Sequence, residues 1–318
     1  MWLSPYKYVL SLGHLCSDIN QSILSAVLPF LIATYHYDYT TAAMLVTVSN
    51  VFGAFVQPFI GMLSDKKNKL LYMTLGVLLA SGGMAVTGFI SNFFGLCIVV
   101  IISGIGVVMF HPQAAKLVNS VSSKNAKGKG MSIFSFGGKV GFTLGPVYTA
   151  FLMNLFGMKG TILFLIPGIV FGIVCSFFNK DFENLDVLEV EKKEKVKSEQ
   201  KDDWSGFIKL CCVVFSRSIL SNGISTFLAF YFIQQFSKSN SFASMLLSVF
   251  YGIGSITLLG GGIADCFGHR KMVRLSFCIF LPAIFIFTNT SHFVIALIML
   301  IFMTCGESLS YSPMVVLG

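Results

Sequence analysis

His14 and Asp18 stand four residues apart within an apolar run, so a helix through them presents both on one face, with Gln21 continuing it. A charge at that depth in a lipid-spanning segment is costly and marks a functional position by default. Burial favours the neutral carboxyl and a nearby cation favours the carboxylate, so Asp18 moving between two such surroundings loads and releases a proton. The alternative is a fixed Asp18–cation pair that holds helices together. His111, followed by Pro112, reads either as a proton relay or as a histidine beside a kink. Lys139, Arg217 and Glu307 also fall inside apolar runs. Arg217 suits an anion contact or a counter-charge, or it snorkels to a helix end. Glu307, with Ser308, Ser310 and Tyr311 nearby, suits coupling or substrate contact, or a buried structural pair. Lys139 is a partner for any of these acids, and spacing alone does not choose among them. Asn50 and Gln57, seven apart, are further candidates to line a cavity.

The elements that carry these residues are apolar. Hydrophobic residues make up 55% of the 318-residue chain and charged residues 11%, with a mean hydropathy of +0.79. A soluble domain carries about 25% charged residues. Ten spans are expected, at 6–34, 41–63, 70–90, 93–118, 131–155, 160–179, 205–235, 242–264, 272–289 and 293–317. Each is near the ~20 residues that cross a hydrocarbon core of about 30 Å. The first apolar stretch is too long for a cleavable signal peptide. Of the 22 lysines and arginines, all but Lys139, Lys159, Arg217 and Lys238 lie at the N-terminus or around the even-numbered loops. Positive loops stay cytoplasmic, so the N-terminus is expected there too. The net charge of +8 is therefore a topology signal, and no nucleic-acid partner is expected. The eight cysteines show no metal spacing, and neither a metal site nor an enzyme's nucleophile–base arrangement is indicated.

A short pattern occurs twice at an offset of 200: Gly61 with Asp65 and Lys66, and Gly261 with Asp265 and Arg270. Two related halves are implied, with residues 1–180 a six-helix bundle, 181–204 a charged cytoplasmic linker and 205–318 a second bundle of about four helices. The aspartate can pair with the cations beside it and with a neighbouring helix N-terminus, forming a cytoplasmic latch. Measured on the first half, the second ends about 60 residues early, the length of two spans of ~20 residues with their loops. In span five, Gly137, Gly141 and Gly145 share a face that allows close helix approach, and Pro146 then removes a backbone donor.

With these glycine–aspartate loops, the central charged linker and the Gly137-to-Pro146 pattern, the chain resembles the major facilitator superfamily. The span-five pattern is similar to the antiporter motif of its drug/proton exchangers. The segments around His14 to Gln21, Phe110 to Gln113 and Phe134 to Gly138 resemble the fosmidomycin-resistance branch. The resemblance implies an all-α polytopic protein of twelve helices in two bundles, of which about ten are expected here. It implies proton-coupled efflux of small drug-like molecules by alternating access, without a cofactor, by a monomer in the bacterial cytoplasmic membrane. An uptake permease on the same fold, or a non-functional remnant, is the alternative. Asn68 replaces the glycine expected in the first loop motif, and Lys139 stands where a neutral residue is usual.

Overall fold

The computed structural model describes residues 5–64, 69–121, 127–178, 204–256 and 267–309. The chain divides into two compact units, Met1–Val196 and Lys197–Gly318. Unit 1 contains α1 (Tyr6–Tyr35), α2 (Tyr39–Ser64), α3 (Lys69–Ala85), α4 (Phe93–Val121) and α5 (Lys127–Phe156), followed by α6 (166–178). Unit 2 contains α7 (Trp204–Phe236), α8 (Asn240–Ile256), α9 (His269–Asn289) and α10 (Phe293–Leu309). No strand occurs among the described residues. Helices are what a lipid-spanning chain permits, because each satisfies its own backbone hydrogen bonds within one segment.

The main departure from the expected spans lies between α5 and α6, where Gly157–Leu165 forms a 3₁₀ segment. It opens at Gly157 with φ +58°, a conformation that favours glycine, so α6 starts six residues later than the span expected from residue 160. The α1–α2 turn uses another left-handed residue, His36, whose N–H closes on the Ile32 carbonyl at 2.9 Å. Asp38 then accepts from the Thr41 N–H at 2.6 Å. The hydrogen bonds from Thr41 hold the exposed Asp38 carboxyl below its usual range.

Large apolar side chains such as Phe55, Phe59, Phe94, Phe151 and Phe177 face outward. Small and polar residues line the helix contacts instead, as expected where lipid tails are as apolar as leucine. The α3–α4 seam shows why. A Cβ on Gly76 would lie 2.7 Å from the Gly106 carbonyl oxygen, and one on Gly106 would collide with the α3 backbone at Gly76 and Ala80. Ser103 donates across the same seam to the Ala80 carbonyl at 2.9 Å, and Ser49 ties α2 to the Val100 carbonyl at 3.0 Å.

Unit 2 repeats this construction at an offset close to 200. Its helices α8, α9 and α10 begin at Asn240, His269 and Phe293, against Tyr39, Lys69 and Phe93 in unit 1. A Cβ on Gly306 would lie 2.8 Å from the Phe280 nitrogen and 2.9 Å from the Ser276 carbonyl oxygen, the counterparts of Ala80 and Gly76. Ser237, after α7, has φ 50°, mirroring His36 after α1.

Gly106→Leu should destabilise the protein by about 1–3 kcal/mol, because the added side chain overpacks a backbone contact. Gly82→Ala, on the facing helix α3 with nothing within 4 Å of a new Cβ, should be neutral or stabilising by up to about 1 kcal/mol. Thermal unfolding of the two purified variants checks both; equal losses would refute the seam.

Candidate functional site

α1 is the most deeply buried of the spanning helices, enclosed mainly by α5, α4 and α3. Its contact with α5 is made of glycine. A Cβ on Gly137 would collide with the Ser11 carbonyl, one on Gly141 with the Leu15 carbonyl, and one on Gly145 with Ser22. Pro146 is buried within α5 without interrupting it. The two backbones therefore meet closely enough for α1 side chains to reach α5 carbonyls. Ser11 Oγ donates to the Ile133 carbonyl at 2.8 Å, and His14 Nδ1 lies 2.8 Å from the Phe134 carbonyl oxygen.

Asp18 is buried at the centre of this contact. Its Oδ2 lies 3.2 Å from His14 Nε2 and its Oδ1 lies 3.2 Å from His111 Nε2, carried by α4. His111 is the outermost member, with 31% of its side chain exposed against 5% for Asp18. The His14 ring stacks on Phe134, with centroids 4.0 Å apart and planes at 21°. Gly138, not singled out as a site residue from sequence, covers the pair: a Cβ there would stand 2.5 Å from Asp18 Oδ2 and 2.6 Å from His14 Nε2. Lys139, partly buried on α5, acts on His14 electrostatically. Sequence reasoning also passed over Asn20, buried one turn beyond Cys16. It donates to the Cys16 carbonyl and to Ser81 Oγ of α3, both at 2.8 Å. Its signal was an amide within an apolar run.

Two imidazoles and a carboxylate are also a metal donor set, and the donor atoms lie within 4.8 Å of one another. Here, however, each ring addresses a different carboxylate oxygen, so the three converge on Asp18 rather than on a common point outside it. The arrangement suits proton exchange: one acid between two bases, buried on one side and more open at His111.

In unit 2 the structure brings Arg217 of α7 and Glu307 of α10 into an ion pair, and Ser308 donates to Glu307 Oε2 at 3.2 Å. A small recess beside the pair is lined by Leu220, Ser276, Phe280 and Gly306. A larger, mainly apolar cavity of about 290 Å³ opens further along α7, lined by Gly223, Phe227, Tyr231, Phe287 and Met303 among others. Gln21, Asn50 and Gln57 are exposed on unit 1 and do not join the Asp18 cluster. Gly61 lies in the last turn of α2, and Arg270 is exposed in the first turn of α9. Asp65, Lys66, Gly261 and Asp265 of the paired loops, and nearly all of the 181–204 linker, lie outside the described residues.

Residues 10–318 match the family model described as Major Facilitator Superfamily. The fosmidomycin resistance protein of Escherichia coli (strain K12) is 23% identical over 276 residues, covering 83% of this chain and 66% of that protein. The chain thus spans about two thirds of that relative's length. Among solved structures, a bacterial homologue of the human lysosomal transporter Spinster superposes with a TM-score of 0.81 at 15% identity, covering 98% of this chain and 73% of that one. The xylose transporter XylE from E. coli gives 0.76 at 14% identity, covering 98% and 81%. Both likenesses are of fold.

Removing one partner of the partly buried Arg217–Glu307 pair should be destabilising, because the other charge loses its counter-charge in a site largely withdrawn from water. Glu307→Gln and Arg217→Met should therefore each unfold at lower temperature than the double variant. A double variant as unstable as the sum of the singles would refute the pairing.

Proposed function

The chain belongs to the Major Facilitator Superfamily, and on that premise we propose that it is a secondary active transporter that exports small drug-like molecules in exchange for protons. The observation that carries this reading is the buried His14–Asp18–His111 cluster, a proton-holding site set into the glycine contact between α1 and α5. Asp18 binds the coupling proton. His14 orients it and His111 passes it between the buried carboxylate and water. Gly137, Gly141, Gly145 and Pro146 keep α5 close enough to shield the site.

Arg217 and Glu307 form the second charged position, with Glu307 neutralising Arg217 until a substrate or proton intervenes. The drug-resistance name of the E. coli relative supports a small drug-like cargo, and the cavity along α7 supplies a mainly apolar surface for part of one. The cycle runs by alternating access, driven by the proton gradient and without a cofactor. The glycine–aspartate loops at Asp65 and Asp265 serve as cytoplasmic latches. The distribution of basic residues supports a cytoplasmic N-terminus in the bacterial inner membrane, and the transporting species is the monomer.

Cells expressing this chain should accumulate less fosmidomycin than empty-vector cells, and a proton uncoupler should abolish the difference. Asp18→Asn should abolish it as well while the protein still reaches the membrane. Accumulation equal to the vector control would refute efflux. Greater accumulation, collapsed by the uncoupler, would indicate uptake instead. Unchanged uncoupler sensitivity in Asp18→Asn would remove Asp18 as the coupling group.

A further inference from the structure

A carbonyl oxygen accepts hydrogen bonds and cannot donate. His14 Nδ1 is 2.8 Å from the Phe134 carbonyl, so Nδ1 carries a hydrogen whether the ring is neutral or charged. The other ring nitrogen, Nε2, is 3.2 Å from Asp18 Oδ2. In neutral His14 of this tautomer Nε2 is a bare lone pair, and an ionised carboxylate offers only lone pairs in return. Two acceptors facing each other in a buried, low-dielectric site repel. No added atom separates them, because the α5 backbone at Gly138 leaves too little room even for a Cβ, 2.5 Å from Oδ2. A single proton between Nε2 and Oδ2 removes the conflict.

We propose that the exchangeable proton is held between His14 Nε2 and Asp18 Oδ2, that the Phe134 carbonyl places it there by fixing the His14 tautomer, and that this proton keeps α5 seated on α1. The inference rests on the proton-coupled reading of this site. Phe134 is a positioning residue, acting through His14 with its carbonyl and with the ring that stacks on the imidazole. Among the described residues, the titratable groups acting on the pair are His111 from α4 and Lys139 from α5. His111 does not duplicate His14. It meets the other carboxylate oxygen, Oδ1, at 3.2 Å, and its greater exposure makes it the exchange route. When the proton leaves, the His14–Asp18 contact turns repulsive. Either the ring leaves the Phe134 carbonyl or α5 moves away from α1. Proton occupancy is thereby linked to the glycine seam between α1 and α5.

The test uses the full chain in lipid bilayers with ¹⁵N-labelled histidine, read by solid-state NMR across a pH series. The His14 signals are identified by their disappearance in His14→Asn. The expected result is that Nδ1 stays protonated throughout while Nε2 alone loses its proton. A neutral ring with a bare Nδ1 would overturn the placement, and so would a ring doubly protonated at every pH. The seating claim has its own readout, hydrogen–deuterium exchange of α5 peptides corrected for the intrinsic pH dependence. Protection should fall with rising pH in the wild type and not in His14→Asn, whose amide can still donate to Phe134 but cannot share the proton. The same pH response in both proteins would overturn the seating claim. Neither readout involves a transported molecule, so failure of the efflux reading and failure of this inference are separately visible.

Discussion

The close approach of α5 to α1 is the contact on which the rest of unit 1 depends. Lipid gives helices no hydrophobic reason to associate, so they join through packing and hydrogen bonds. Gly137, Gly138, Gly141 and Gly145 bring the α5 backbone against α1, and only at that separation can Ser11 and His14 reach the carbonyls of Ile133 and Phe134. The same closeness buries Asp18 beneath Gly138 and confines its two oxygens to His14 and His111. Packing and the proposed proton site thus share one feature: a larger residue at Gly138 would damage both.

The offset of about 200 residues shows what is shared between the two units and what has diverged. The backbone frame is shared, down to the glycine that sets the approach of the third and fourth helices: Gly106 over Gly76 and Ala80, and Gly306 over Ser276 and Phe280. Each unit also joins its first and fourth helices through buried or partly buried ionisable groups. In unit 1 these are Asp18 and His111; in unit 2 they are Arg217 and Glu307. The first pair sets a carboxyl against histidine, the residue type suited to proton exchange, and is the proposed proton site. The second pairs its carboxylate with an arginine, which stays charged. One frame thus carries a histidine–carboxylate cluster in one unit and an arginine–carboxylate pair in the other.

Much of this architecture was legible in the sequence, because the bilayer imposes it. A span must be long, apolar and helical, and the spacing of Gly137, Gly141 and Gly145 marks a helix contact face. Pairing was not legible. His111 lies 93 residues from Asp18, and Glu307 lies 90 from Arg217, and which charges meet depends on the rotation of each helix about its axis. Hydropathy does not encode that rotation. For the same reason Gln21, on the His14–Asp18 face by spacing, is exposed, while Asn20 beside it carries the buried hydrogen bonds. The 3₁₀ segment Gly157–Leu165 was missed because its residues are as apolar as an α-helix; only the left-handed Gly157 breaks the run. Gly138 stood in a motif but was not a site candidate, because its importance lies in the two side chains opposite it.

The central claim is that Asp18, set between two histidines, binds and releases protons in the folded protein. The most direct measurement is reversible proton uptake by the purified chain in lipid nanodiscs, titrated side by side with Asp18→Asn. The account predicts that the wild type binds more protons per chain across the titration. Identical uptake curves for the two proteins would contradict it.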